Sequence, residues 1–316
     1  MEKAGQPAKR RQNAGGNGNL TQISWKWNSI FLVILFFGTL IIILPLLLVV
    51  IVSFTSQLSI ANKGYTFFPD EWTLEAYVYL VKTGDALFDS YAITIFYTVA
   101  GTLMSLSVMT LYAYVIAQRF FVFRKFLTWL LFFTMLFGGG LVPSYILNVR
   151  YLRINDSVWI FLLPSLMSGF NVIILRTFIK TTIPEAFIES ARIDGAGHFM
   201  IFFKIVLPLF KAGIATVGLF NVVSRWNDWF TGMLYIDKPK LVPLQTVLIK
   251  LQNTIDFIKQ NAAVAGTPDG IALLRTLPSE NMRMACTLIV ILPILFAYPF
   301  FQRYFVSGLT VGGIKE

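Results

Sequence analysis

Charge is scarce in this sequence. Asp, Glu, Lys and Arg together make up 13% of its 316 residues, about half the share of a soluble domain, and so few charges exclude an ordinary water-facing surface. Cysteine is nearly absent: the single Cys286 lies in an apolar run, so neither a disulfide framework nor a thiolate metal site can be built. His198 also stands alone, which excludes a multi-His metal centre. No G-x-x-x-x-G-K-[ST] stretch occurs, so the chain lacks the usual phosphate loop for ATP. The apolar runs carry neither paired acids nor a His cluster, which argues against an intramembrane enzyme.

What the sequence has instead is apolar length. It is 56% hydrophobic and 16% aromatic, with a mean hydropathy of +0.69. Ile30–Val52 is uncharged and, as a helix, long enough to cross a hydrocarbon core of about 30 Å. It has no small-residue cleavage site of the signal-peptide kind, so it reads as a first span. Further spans are expected at Tyr91–Ala117, Phe126–Leu147, Val158–Ile179, Ile205–Phe230 and Met284–Phe305. The fold class is therefore an all-α integral membrane protein with six transmembrane helices. Pro45, Pro164, Pro208 and Pro293 lie inside or near these runs, where neighbouring helices can satisfy the carbonyls they free.

The formal net charge of +10 would suggest nucleic acid in a soluble protein; in a membrane protein, placement carries the information. Lys3, Lys9, Arg10, Arg11 and Lys26 precede the first span, Arg119, Arg124 and Lys125 follow the second, and Lys180, Arg192 and Lys204 follow the fourth. Basic loops stay in the cytoplasm, so both termini are expected there, and no nucleic-acid partner is implied. Residues 1–28 read as a disordered basic tail, 29–308 as the transmembrane domain and 309–316 as a C-terminal tail. A long extracytoplasmic loop is expected at 231–283, with an amphipathic surface helix in "LVPLQTVLIKLQNTIDFIKQ".

The loop at 181–204 holds "ESARIDGAGHFMIFFKIVLPL", a polar patch between two apolar runs. Thr182 and Glu185 suggest a capping box, with Pro184 suited to a first helical turn. Ile183, Phe187, Ala191 and the stem of Arg192 would share one side of a short helix, which Gly195 and Gly197 allow to stop. Such a helix either docks in a groove of a soluble partner or lies along the lipid head groups.

Glu189, Ser190 and Ala191, then Gly195, then Ile205, Leu207 and Pro208 resemble the EAA loop of ABC importer permeases: E-A-A, three residues, G, nine residues, I-x-L-P. The spacing matches throughout, with Ser190 replacing the usual Ala. Asp194, Gly195 and Ala196 form the "DGA" of the sugar-importing branch. "SRWNDWF" and "YFVSGLTVGGIKE" are similar to the fifth-span exit and C-terminal tail of maltose-importer G-type permeases. Within that branch the chain looks nearest to alginate and pectin-fragment importers.

The resemblance implies a type I ABC importer permease fold and no catalysis by this chain. The partners it implies are two ATPase subunits holding ATP and Mg, a second homologous permease, an extracytoplasmic solute-binding protein and an oligosaccharide. It also implies an ATPase contact at Glu189, Ser190, Ala191, Asp194, Gly195 and Ala196, with Ile205, Leu207 and Pro208 behind it. Glu189 would accept a charge-assisted hydrogen bond from the ATPase.

Polar and aromatic residues in the spans, Asn171, Asn221, Arg225, Trp226, Asn227 and Trp229, either line the sugar path or serve helix packing. Arg225 and Asp228 are spaced to pair with each other. Arg150, Arg153, Lys238, Lys240 and Lys250 in the outer loops lean towards an acidic, uronate-containing sugar. A secondary transporter driven by an ion gradient would show intramembrane acids, of which only Asp228 approaches a span. A non-transporting scaffold would keep the loop and need no polar pore.

Overall fold

A computed structural model describes residues 25–82, 84–260 and 280–312. The described part is helical apart from turns and one isolated β-bridge, between Thr55 and Trp72. Residues 1–24, 261–279 and 313–316 lie outside it, and with them most of the expected N-terminal tail and the middle of the expected outer loop. At the margins, Trp25–Asn28 and residues 309–312 are helical, where tails were expected.

Helix α1 (Trp25–Ser53) is apolar on every side, with a mean hydropathy of 3.1, and runs through Pro45 without a break. A stretch of 29 residues rises about 43 Å, more than a bilayer core requires. Up to Leu48 it forms a unit of its own.

The second unit begins at Val49. Short helices α2 (Gln57–Lys63) and α3 (Glu75–Lys82) lead into the long α4 (Gly84–Ala117). A stripe of small and hydroxylated residues, Ser90, Thr94, Thr98, Gly101, Thr102 and Ser105, runs along α4 at helical spacing. Its serines and threonines are buried. Small side chains let helices approach closely in lipid, where burying apolar area gives little drive. Both α8 (Gly169–Thr182) and α12 (Lys211–Trp226) pack against α4.

Three expected spans are not continuous. Expected Phe126–Leu147 is α5 (Arg124–Leu136) and α6 (Leu141–Ile146), the latter running into a π turn (Leu147–Tyr151); the two halves meet at 110°. Gly138, Gly139 and Gly140 make the break, with Gly140 at φ +83°, a conformation that costs glycine nothing. Expected Val158–Ile179 is a single turn, α7 (Trp159–Leu162), then a broken stretch holding Pro164, then α8. Expected Ile205–Phe230 is α10 (His198–Ile201), a π turn (Phe202–Val206), α11 (Leu207–Leu209) and α12, with a 78° bend. Pro208 cannot donate to the carbonyl four residues back and its ring crowds that carbonyl, so the chain widens into the π turn and breaks at Phe210.

Helices α13 (Phe230–Tyr235), α14 (Leu244–Gln260) and α15 (Glu280–Gly312) complete the described chain. Among the described residues three helices are long and apolar enough to cross a membrane, or up to five if each of the two bent pairs is one span.

The main core lies around the C-terminal half of α4. Met109, Ala113, Tyr114 and Ile116 meet Val172, Leu175 and Ile179 of α8, and Ile201, Phe202, Val206, Phe210 and Val217 from the run into α12. At the other end of α4, Ile93 and Tyr97 pack with Ile160, Phe161, Ile236 and Val242.

Candidate functional site

Helix α9 (Glu185–Ile193) follows α8 after a two-residue elbow at Ile183 and Pro184. The expected capping box does not form: Thr182 closes α8, Pro184 precedes α9 with no side-chain bond onto the helix start, and Glu185 pairs with Arg119 at 3.0 Å. Ile188, 7% exposed, is the buried anchor of α9, while Phe187, expected on the same side as Ile183 and Ala191, is 57% exposed. The inward stripe counts from the true helix start, giving Ile188, Ala191 and Arg192. Counting from Ile183 crosses the elbow and lands one residue early.

The end of α9 is a complete Schellman turn. Gly195 at φ +81° donates its N–H to Arg192 O at 3.0 Å, and Ala196 N–H reaches back to Ala191 O at 2.9 Å. Ala191 and Ala196 pack on the main core, supplying the apolar contact that accompanies this motif. No atom lies within 4 Å of a Cβ built on Gly195, so glycine is needed there for its dihedral angle and not for space. The E-S-A-x-x-x-G-A spacing thus has a local cause: Ala191 and Gly195 are the third-last residue and the left-handed stop of one helix.

Glu189, Ser190, Asp194 and Gly195 all face outwards. Glu189 makes no hydrogen bond or ion pair among the described residues. Ile193 at 86% exposure and Phe199 at 76% stand beside this polar face, so it is an apolar and acidic surface with nothing covering it. Ile205 and Leu207 are half-buried and Pro208 is exposed, in the bend beneath.

Both ends of α9 are tied to the segment after α4. Besides the Arg119–Glu185 pair, the Arg192 guanidinium stands 3.9 Å over the Phe120 ring and donates to His198 Nδ1 at 3.4 Å. The positive loop after the second span had signalled orientation alone; its contacts to α9 join residues too far apart in sequence for spacing to reveal.

The six pore candidates divide. Asn221 is 8% exposed and bonds its own helix at Val217 O. Trp226 is 4% exposed and donates its indole N–H to Val290 O at 3.0 Å. Arg225, 5% exposed, makes no ion pair with Asp228, which accepts from the Thr231 N–H instead. Its Nη1 donates to Phe161 O at 2.7 Å, and its Nη2 donates to Ser165 O at 2.9 Å and to Ser105 Oγ at 2.6 Å. The two carbonyls belong to the break around Pro164 and Ser105 to α4, so Arg225 is a staple between them. Gly101 makes room for it: a Cβ there would sit 2.4 Å from Arg225 Nη1. Asn171 is half-buried, whereas Asn227 and Trp229 are accessible. Gln245 donates to Asn227 Oδ1 at 3.1 Å, and Thr246 donates to the Trp229 carbonyl at 2.9 Å, which gathers α12, α13 and α14 at one place. Among the described residues no group of His, Cys, Asp and Glu could hold a metal ion.

Residues 115–311 match the family described as binding-protein-dependent transport system inner membrane component. The chain is 34% identical over 276 residues to the polygalacturonan/rhamnogalacturonan transport system permease protein YtcP of Bacillus subtilis (strain 168), covering 87% of this chain and 93% of that protein. It is 37% identical to Protein LplC of the same organism over 285 residues, 89% and 93% of the two chains. A chain of a bacterial ABC transporter involved in the import of the acidic polysaccharide alginate superposes with a TM-score of 0.73 at 28% identity. That match covers 88% of this chain and 96% of the other.

Proposed function

Because this chain belongs to the family of inner membrane components of binding-protein-dependent transport systems, we propose that it is one permease half of an ABC importer for an oligosaccharide. Two partner ATPases, holding ATP and Mg, contact it at α9, a second permease completes the path, and an extracytoplasmic binding protein delivers the sugar. The apolar stretches act as six spans, bent ones included, with both termini in the cytoplasm. The observation that carries this reading is α9 itself. Ile188 and Ala191 root one face in the core, while Glu189, Ser190, Asp194 and Gly195 present the other face uncovered.

Rooting makes α9 a coupling element. A helix pinned through Glu185 and Arg192 to the segment that directly follows α4, and continuous through the Schellman turn with the run into α12, moves as a unit with those spans. A partner that shifts Glu189 on closing around ATP therefore shifts α4 and α12 as well. Docking uses the two exposed chemistries together: charge-assisted hydrogen bonds to Glu189 and burial of Ile193 and Phe199.

The sugar is proposed to be acidic. Arg150, Arg153, Lys238, Lys240 and Lys250 are exposed or partly exposed at the end remote from α9, and a field of that sign steers anions. The relatives that transport polygalacturonan, rhamnogalacturonan and alginate favour the same class. Accessible Asn227 and Trp229, with half-buried Asn171, supply the amides and the aromatic face a sugar needs.

ATP hydrolysis by the reconstituted complex tests this, with binding protein loaded in turn with uronate and with neutral oligosaccharides. Wild type is expected to respond most to a uronate oligomer, and Glu189→Ala with Gly195→Pro to lose the response while the complex still assembles. An unchanged response in that variant would sink the coupling role of α9.

A further inference from the structure

A second site lies beside α9, where the end of α4 meets the elbow between α8 and α9. Here Gln118, Arg119, Lys180 and Glu185 line an open cleft of about 270 Å³, with Ile179, Ile183 and Ile188 as apolar walls. Arg176 and Arg124 stand close enough for their charges, with that of Arg119, to oppose Lys180; Glu185 alone offsets them. Helix C-termini of α4 and α8 add about half a negative charge each, which leaves roughly two positive charges uncompensated. Arg176 lies one helical turn before Lys180 on α8 and adds to the positive field at the cleft. Like charges crowded beside a single carboxylate favour a bound anion.

We propose that this cleft binds the phosphate of an anionic phospholipid. Lys180 and Arg119 would hold the phosphodiester, with Arg176 and Arg124 adding to the positive field, Gln118 would donate to its ester or glycerol oxygens, and the isoleucine walls would receive the first carbons of the acyl chains. Basic pockets between spans on the cytoplasmic side favour anionic lipid head groups. The inference rests on the proposed orientation, which puts this end of α4 in the leaflet facing the cytoplasm. A phosphate held here draws on the same Arg119 that pairs with Glu185, so occupancy is coupled to the start of α9.

Native mass spectrometry of the purified complex, exchanged into detergent with phosphatidylglycerol or phosphatidylcholine, tests it. Wild type is expected to retain phosphatidylglycerol selectively, and Lys180→Gln or Arg119→Gln to reduce retention about fivefold each. Both side chains are exposed, so these variants keep the fold. Lys125→Gln with Lys204→Gln, which removes two other basic residues, is expected to retain lipid as wild type does. Equal retention by all variants overturns the site, and so does an equal loss in the control. Displacement by millimolar inorganic phosphate, without selectivity for the glycerol lipid, would make the occupant a free anion and overturn the lipid assignment. A complex that hydrolyses ATP in response to loaded binding protein yet retains no phosphatidylglycerol refutes this site alone; one that retains lipid but never responds refutes the importer reading instead.

Discussion

Two prolines in apolar stretches meet opposite fates. At Pro293 the helix α15 runs on, and at Pro164 the helix is lost between α7 and α8. Pro293 frees the carbonyl of Ile289, and the Tyr91 hydroxyl from α4 donates to it; one residue on, Val290 O accepts from the Trp226 indole. Pro164 lies in a wider opening whose carbonyls need several donors, and a guanidinium supplies them at Phe161 and Ser165. Two neutral donors, one on each of two carbonyls, accompany an intact helix, and a charged fork across two carbonyls accompanies a broken one. In both places the donors come from α4 and α12, so those two helices carry the polar chemistry of the interior.

The largest effect is expected from breaking the Pro164 side. Arg225→Leu leaves carbonyls short of donors in a nonaqueous interior and should lower stability by about 3 kcal/mol. Thermal unfolding of the detergent-purified complex measures this, and an unchanged midpoint would mean that the break needs no staple. Next is Gly101→Ala, which drives a methyl into the Arg225 guanidinium. About 2 kcal/mol is the expected loss by the same assay, and Gly101→Ala combined with Arg225→Leu should cost less than the sum of the two.

The Pro293 side should be milder. Trp226→Phe keeps the ring packing and removes one donor, for an expected loss of about 1 kcal/mol. If Trp226→Phe instead abolished sugar-stimulated ATP hydrolysis at full stability, its role would be in the path and not in the repair of α15.

The smallest effect concerns a polar clip between the loop before α7 and the residues after α13. Asp156, at φ +49°, accepts from the backbone N–H groups of Lys238 at 3.0 Å and of Asp237, which hold its carboxyl below the usual carboxylate range. A depressed folded value means that this stabilisation is present above the unfolded value, near about 4, and is lost as pH falls through the lower folded one. Amide-exchange protection at Asp237 and Lys238 is therefore expected to persist at neutral pH in wild type and to fade only in acid. In Asp156→Ala it should be low throughout.

The loop helix was legible in the sequence because its cause is local: a Schellman turn needs its glycine and its small apolar contacts within six consecutive residues. The breaks were not legible as breaks. Composition across residues 158–179 is mostly apolar on both sides of the break, and a proline alone does not say whether the helix bends, opens or runs through, since that depends on which donors the neighbours bring. For the same reason Trp226 and Arg225 stayed open between the sugar path and helix packing. Their acceptors lie 64 residues away in sequence for Phe161 and again 64 for Val290, beyond anything periodicity reports. Asn227 and Trp229, at the end of the same helix, did emerge accessible because helix ends carry fewer packing partners.

The staple also sets an order of assembly. Helix α8 has 14 residues and rises about 21 Å, short of a bilayer core, so the preceding turn with its open carbonyls must enter with it. During synthesis that turn emerges 64 residues ahead of the guanidinium that closes it. For that interval the fourth stretch is unfinished, held by packing on α4 and α5 and by the Ser105 hydroxyl on one of its open carbonyls. A nascent chain cut before Arg225 should therefore slip out of the membrane at its fourth stretch, while one cut just after α12 should hold.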